Sequence, residues 1–401
     1  MKEYAGKRVL IIVENLPVPF DRRVWQEAIA LKEKGAEVSI ICPIGKGYKK
    51  KKEILEGIKI YRHSLILEAG KKWGYLLEYA SALFWEVVLA WWIYFKDGFD
   101  AIHACNPPDL IFLVALPFKI LGKKFIFDHH DLNPELYLAK FKNRDVFYKI
   151  LFLLEKMTFR LADLSIATNN SYKDIAIKRG KMKDRDVYVV RSGPDLKRIK
   201  RYPQTNEYKK GKRFLVGYVG VIGKQEGLDY LIDAMHYIAF KRGRKDIYCV
   251  CVGSGPYLEL AKGKVHQEMI SDYITFTGRV SDEILFKILG SADVCVNPDE
   301  YNEMNNKSTM NKIMEYMCLG KPIVQFDLKE GRFSAQSASL YARSNDSVDL
   351  AEKILELIDN PKKREEMGRL GCERIKNELS WEKGKNSLYS VYDRLFLDRD
   401  L

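Results

Sequence analysis

From Lys7 onward the chain alternates short apolar runs with longer amphipathic ones, and it does so in two successive series. That pattern restricts the fold to α/β, with parallel, doubly wound sheets. The first series predicts strands at 9–13, 37–42, 58–62, 101–103, 124–128, 164–168 and 187–190. Helices are expected near 22–34, 73–95, 110–121, 146–161 and 170–179. The second opens with a strand at 214–219 and continues with strands at 247–252, 274–277, 294–296 and 322–326. Its helices fall near 228–241, 257–261, 283–289, 310–319, 348–358 and 362–377. Between Leu196 and Arg213 stand eight basic residues, one acid and Pro203, with little apolar content. This stretch reads as the linker between domains at 1–200 and 201–379, and the 401 residues suffice for two cores of ordinary size.

The seven cysteines sit mostly inside apolar runs, with neither a disulfide framework nor metal-ligand spacing, so no metal is expected. Lys7 and Arg8 lead straight into a strand without an export signal, which predicts a cytoplasmic protein. A formal charge of +13 implies an anionic partner: nucleic acid, an anionic membrane or a phosphorylated small molecule. Nine Lys/Arg against three acids lie between Lys46 and Lys72, just ahead of an aromatic segment at 73–95 that holds four of the six tryptophans. Basic residues beside such aromatics suit peripheral contact with an anionic membrane. Glu78 and Glu86 argue against a spanning helix, so the segment reads as lying on the membrane, with a buried or dimer-forming helix as the alternative. No nucleic-acid motif is present, and no nucleic-acid partner is expected.

The stretch from Ser308 to Val324 divides into two helical faces. Met310, Ile313, Met314 and Met317 follow the period of an apolar stripe, while Ser308, Asn311, Lys312 and Glu315 lie opposite. Asn306 and Ser308 are the expected caps, and Gly320 and Pro322 the stop. Free N–H groups at 306–311, with Lys312 and Lys307, suit a phosphate, and Glu315 one turn deeper suits ribose hydroxyls. A solvated polar face is the plainer reading.

Glu315-Tyr-Met-Cys-Leu-Gly-Lys-Pro-Ile-Val324 resembles the E-A-M-A-x-G-K-P-V-V segment of glycosyltransferase family 4, and the likeness extends over nearly the whole chain. The resemblance implies a GT-B fold: two Rossmann-like domains facing a central cleft, with residues 380–401 crossing back onto the first. It also implies a retaining transferase dependent on a nucleotide-diphosphate sugar, which is a substrate rather than a cofactor. Glu315 matches the second acid of the family's E-x7-E pair and would hold ribose. Lys307 stands where the first acid is expected, and Asp299, Glu300 and Glu303 are candidate substitutes in the same loop.

The turn Gly220-Val-Ile-Gly-Lys-Gln-Glu-Gly227 resembles the family's G-R-x-x-x-x-K-G loop, with Val221 at the arginine position and Lys224 the substitute cation for the diphosphate. Gly220 and Gly223 would bring backbone close to the phosphates, though a tight turn explains them as well. Val252-Gly253-Ser-Gly-Pro256 and Gly278-Arg279-Val280 resemble segments that lie beside the nucleotide. Asp128-His-His-Asp-Leu-Asn-Pro-Glu135 resembles H-D-x-x-P-E, making His130 the histidine that orients the donor, with Asp131 beside it. Asn15, Arg22 and Arg23 follow the first strand in a loop suited to donor or acceptor phosphate, and Arg191 matches the family's hinge. Ser308, Thr309 and Met310 complete the expected donor loop. The implied acceptor is a glycan or a polyprenyl-diphosphate-linked sugar on the inner membrane face, in surface polysaccharide biosynthesis. An epimerase of the same fold, or a non-catalytic subunit that binds nucleotide or lipid, are the alternatives.

Overall fold

A computed structural model describes residues 3–64 and 72–397, and within the aromatic helix the side chains from Ala80 onward. Glu68, Lys71 and the side chains of Lys72, Trp73 and Glu78 lie outside the described residues. The chain forms two compact units, 1–191 with 385–401, and 192–384.

In the first unit the strands are β1 (Arg8–Ile12), β2 (Glu37–Pro43), β3 (Lys52–Leu55), β4 (Ile58–His63), β5 (Ala101–Cys105), β6 (Lys124–His129), β7 (Leu164–Ala167) and β8 (Val187–Val189). They lie in the order β3-β4-β2-β1-β5-β6-β7-β8, all parallel except β3, which pairs antiparallel with β4. Parallel strands covered on both faces need unbroken apolar runs, and β1 and β5 are buried almost throughout. The helices are α1 (Arg22–Glu33), α2 (Lys72–Lys96), α3 (Phe112–Ile120), α4 (Asn133–Phe141), α5 (Val146–Leu161) and α6 (Asn170–Lys178). Asp21 caps α1 by accepting from the Val24 N–H, which fixes where the loop after β1 ends. Helix α2 buries Ala82, Glu86, Ala90 and Ile93, and presents Phe84, Trp85, Val88, Trp92 and Phe95 outward. No helix among the described residues is long and apolar enough to cross a membrane.

The second unit carries β9 (Phe214–Val219), β10 (Ile247–Val252), β11 (Ile274–Gly278), β12 (Val294–Asn297), β13 (Ile323–Phe326) and β14 (Ser339–Ala342), ordered β11-β10-β9-β12-β13-β14 and wholly parallel. Around it lie α7 (Leu228–His236), α8 (Leu258–Gln267), α9 (Asp282–Ser291), α10 (Glu303–Lys307), α11 (Asn311–Cys318), α12 (Lys329–Ala335), α13 (Ser347–Ile358) and α14 (Pro361–Arg374). Helix α15 (Trp381–Phe396) begins in the second unit and runs into the first. There Leu388, Val391, Tyr392 and Leu395 are buried, and Tyr4 donates to Asp393 at 2.7 Å.

The units divide at Arg191/Ser192 rather than after residue 200. Segment 192–201 belongs with the second unit because it bonds there. Trp381 N donates to the Pro194 carbonyl at 3.1 Å, and Arg201 Nη2 to the Cys318 carbonyl at 2.8 Å.

Strand order reverses at β1/β5 in one sheet and at β9/β12 in the other. In doubly wound sheets ligands bind outside the carboxyl ends of the strands at such a switch point. The loops that leave these four strands therefore define where a site belongs.

Candidate functional site

At the second unit's switch point, the turn 220–227 after β9 lies against the loops after β10 and β12. Backbone bonds join them: Gly220 N to Val252 O at 3.1 Å, Ile222 N to Ser254 O at 3.1 Å and Glu300 N to Gln225 O at 3.2 Å. A Cβ on Gly253, at φ +142°, would lie 1.8 Å from the Gly220 carbonyl oxygen. One on Gly227, at φ +66°, would lie 1.8 Å from that of Pro298. These two glycines are thus demanded by the interlocking of loops, before any ligand is considered. Gly223 precedes a short turn at 224–226 with extended backbone.

Lys312 is buried, not on a solvent-facing polar side as the helical pattern implies. Its Nζ lies 2.8 Å from Asp299 and 2.9 Å from Glu226, tying α11 to the turn. Burial works against its charge, but the two carboxylates hold its pKa well above the ordinary value. Burial raises Asp299 to about 7, with Lys312 pulling it down and Glu226 pushing it up. Lys312 is therefore already neutralised from within.

Asn306 and Ser308 do not cap α11. The chain inserts α10 first, capped by Asn302, whose side chain accepts from the Asn305 N–H. Asn306 Oδ1 accepts from the Lys329 N–H at 2.8 Å, and Ser308 Oγ donates to the Met304 carbonyl at 2.8 Å. Helix α11 begins after Met310, which supplies no side-chain cap, so its first-turn amides have no side-chain acceptor from the capping position. Thr309 is half-buried and Asn311 exposed. Lys307 pairs with Glu303 at 2.7 Å. Lys224 is exposed and carries no ion pair among the described residues. Glu315 is bridged by Arg198 at 2.8 Å, and Arg198 also reaches Asp282 at 2.7 Å. Arg279 is exposed at the end of β11, and Val280 packs on the apolar layer that includes Met314 and Met317.

At the first unit's switch point Arg23 is buried rather than displayed. Its guanidinium lies 3.0 Å from Asp128 and 3.1 Å from Glu27, and it donates to the Val190 carbonyl at 2.8 Å. Arg22 and Asn15 are exposed. His103 joins from β5, its Nε2 3.2 Å from Asp128 and its Nδ1 2.9 Å from the Tyr392 hydroxyl. His130 Nε2 lies 2.7 Å from Asp128 Oδ2. Arg23 Nε lies 2.9 Å from the same ring nitrogen, so guanidinium and carboxylate meet at His130 Nε2. Burial disfavours ionised Asp128, yet Arg23 and His130 carry it well below the usual carboxylate range. Glu27 goes the other way: burial, with Asp128 adding, lifts it well above. Of this cluster's residues His130 keeps the largest side-chain exposure, 15% against 8% for Arg23 and 0% for Glu27, His103 and Asp128.

The His130 loop is held from β5. Asn106 Oδ1 accepts from the N–H groups of His130 (2.7 Å) and Asp131 (3.1 Å), while Asn106 Nδ2 donates to Asp109 (2.8 Å) and to the Asp131 carbonyl (2.7 Å). Asp131 is half-buried, and burial raises its pKa. Asn106, Asp109, Glu27, His103 and Arg198 were absent from the sequence expectation. The run Asn106-Pro-Pro-Asp109 directly after a strand was the one available signal, since polar residues there face the ligand edge. His103, Cys105 and Asp128 also bring possible metal-ligand atoms within 4.8 Å of one another. Arg23 already occupies the Asp128 carboxylate and Tyr392 engages His103, an arrangement suited to a hydrogen-bonded network. Arg191 is half-buried at the end of the unit.

Residues 21–198 match the family model described as Glycosyltransferase Family 4, and 213–360 that described as Glycosyl transferases group 1. Among curated relatives, a GDP-mannose-dependent monoacylated alpha-(1-6)-phosphatidylinositol monomannoside mannosyltransferase from Corynebacterium glutamicum is 26% identical over 203 residues, 48% of this chain and 52% of the relative. The chain spans about half the length of the first curated relatives it matches. Sucrose-phosphate synthase from Thermosynechococcus elongatus superposes with TM-score 0.79 at 19% identity, covering 98% of this chain and 99% of the other. Anabaena HepE in complex with UDP superposes at 0.74 with 15% identity, covering 96% and 99%. The fold is that of the GT-B glycosyltransferases, as the resemblance implied.

Proposed function

We propose that this chain is a retaining glycosyltransferase. It moves a sugar from a nucleotide-diphosphate donor, held by the second unit, to a glycan acceptor bound by the first and carried on a polyprenyl diphosphate. The observation that carries this reading is the β9/β12 switch point, where a glycine-locked turn, the exposed Lys224 and the uncapped start of α11 converge within a chain whose halves both match glycosyltransferase domains.

The diphosphate rests on the α11 amides and the backbone of 220–223, with Lys224 supplying the mobile charge. Lys312 acts through the turn it anchors. Glu315 receives the ribose hydroxyls, steadied by Arg198, and Arg279 and Val280 flank the base. His130, fixed by Asp128 and Asn106, orients the donor sugar. Helix dipole and ammonium stabilise the leaving diphosphate, so no metal is required. Lys307 at the first-acid position leaves contact with the sugar to Glu300 or Glu303, because Asp299, the third candidate, is buried against Lys312. The UDP held by HepE supports the donor class, and the phosphatidylinositol monomannoside named for the Corynebacterium enzyme is a glycan on a different kind of lipid. A setting on the inner membrane face, in surface polysaccharide assembly, is supported by the outward aromatic face of α2.

The test incubates purified protein with UDP-, GDP- and ADP-sugars, with and without membrane lipid extract. Sugar transferred to a lipid-extractable product is expected, with Glu315→Ala abolishing donor turnover. An isomeric nucleotide sugar formed without acceptor, the outcome for an epimerase, or no turnover with any donor, overturns the reading.

A further inference from the structure

A cleft of about 320 Å³ opens at the carboxyl end of β4, between the basic edge of the sheet and α2. Small-molecule sites span about 300–1,000 Å³, so it suits a headgroup and the start of a chain, not a whole lipid. One wall is cationic. Lys51 and Lys52 lie opposite Arg62 and Tyr61 across the antiparallel β3–β4 pair. Lys51 is exposed without an ion pair among the described residues, and Lys52 Nζ lies 5.2 Å from the Trp92 ring centroid. Lys96 sits over the same ring at 4.5 Å, so two ammonium groups share one indole, with Asp97 acting on Lys52 only from a distance. Both terminal nitrogens of Arg62 are taken, by Glu53 and the carbonyls of Lys50 and Val18, while its Nε is buried without a hydrogen-bond partner among the described residues.

The opposite wall is apolar. Trp85, Val88 and Trp92 line it at 40%, 41% and 43% exposure, which for three large side chains in one cleft is uncovered surface. At the floor His63 is 3% exposed, and its Nε2 is buried without a hydrogen-bond partner. Burial holds its imidazole neutral down to about 4. A buried polar atom without a partner is costly unless something supplies one.

We propose that this cleft binds a phosphorylated lipid, its phosphate on Lys51 and Lys52 and the first carbons of its chain against Trp85, Val88 and Trp92. The assignment deepens the proposed function, on which it rests for the lipid's role as acceptor. Neither ligand half suffices: a bare phosphate leaves the indoles wet, and an alcohol leaves the ammonium groups unmatched.

Tryptophan emission of the full chain, titrated without any nucleotide sugar, tests this with three probes below their aggregation limits: farnesyl phosphate, farnesol and inorganic phosphate. Farnesyl phosphate is expected to shift the emission and to bind at least about tenfold tighter than either of the others, the yield of one charge-assisted hydrogen bond. Lys51→Ala/Lys52→Ala is expected to lose about tenfold for farnesyl phosphate while leaving farnesol binding unchanged. Should that pair fail to fold by circular dichroism, the exposed Lys51→Glu replaces it with the same expectation. Equal affinity for farnesol and farnesyl phosphate, tighter binding of inorganic phosphate, or variants that bind as the parent overturn the proposal. Because no donor is present, sugar transfer that persists without lipid binding removes the cleft assignment alone, and binding without transfer removes the enzymatic reading alone.

Discussion

Glu86 offers the sharpest test of the fold energetics. It is fully buried on the inner side of α2, both carboxylate oxygens lack a hydrogen-bond partner among the described residues, and burial alone lifts its pKa from 4.5 to about 8. Because the folded value is raised, the native state binds the proton more tightly than the unfolded chain. This group's effect on stability is therefore absent below pH 4.5 and grows more unfavourable as pH rises to about 8. Each pH unit in that window costs about 1.4 kcal/mol, hence about 3 kcal/mol at pH 7 and about 5 kcal/mol at pH 8 and above. Glu86→Gln mimics the protonated carboxyl in shape and leaves an amide equally unpaired, so only the ionisation cost is removed. Denaturant unfolding of parent and variant, followed by near-ultraviolet circular dichroism from pH 4.5 to 8.5, should give coincident curves at the acid end. They should diverge to about 3 kcal/mol at pH 7, roughly 6–12 °C in the melting of a domain this size. Parallel behaviour across the whole range would refute the reasoning, since it would mean the carboxyl finds water or a cation in solution.

Gly253→Ala places a Cβ 1.8 Å from the Gly220 carbonyl at φ +142°, so the second unit should lose at least about 3 kcal/mol in denaturant unfolding. A loss under about 1 kcal/mol would show the loops are not locked. Lys312→Met strands Asp299 and Glu226 and should cost about 3–5 kcal/mol at pH 8. Burial holds Asp299 near 7 even against the pull of Lys312, so without that lysine it takes up a proton more readily and much of the loss should return at pH 5.5.

Elements with a strong apolar run were legible, and 146–161 and 247–252 coincide with α5 and β10. Five elements were not, among them the five-residue α10 inserted in the loop after β12. Strand β3 reads Lys-Glu-Ile-Leu on an exposed edge, and nothing local separates it from a basic surface run. Helix α4 hides in a motif chosen for its ionisable groups, although Pro134 in its first turn was a start signal. Helix α12 and β14, seven and four residues long, are set by tertiary contacts that no window of sequence contains. In the candidate site, residue type and strand-end position were readable, and partnership was not. Arg23 and Asp128 are 105 residues apart, Lys312 and Glu226 86, and Arg198 and Glu315 117. Helical periodicity put Lys312 on a polar face; it did not reveal that the face abuts a neighbouring loop.

Both units solve one electrostatic problem in the same way. A cation placed near a switch point is drawn inside and flanked by two carboxyl groups: Arg23 by Asp128 and Glu27, Lys312 by Asp299 and Glu226. Two carboxylates around one cation would leave a buried net negative charge, which a low-dielectric interior tolerates poorly. One carboxyl in each trio is accordingly pushed toward its protonated form, Glu27 in the first and Asp299 in the second, and each cluster moves toward neutrality. Buried cations of this kind fix loop geometry and have little charge left to offer an incoming phosphate. The surplus of +13 must then act through residues that remain unpaired at the surface, such as Lys224 beside the second sheet and Lys51 and Lys52 beside the first. Anion recognition in this chain follows from which ammonium groups burial has left unmatched, a property that counting basic residues along a helix face does not measure.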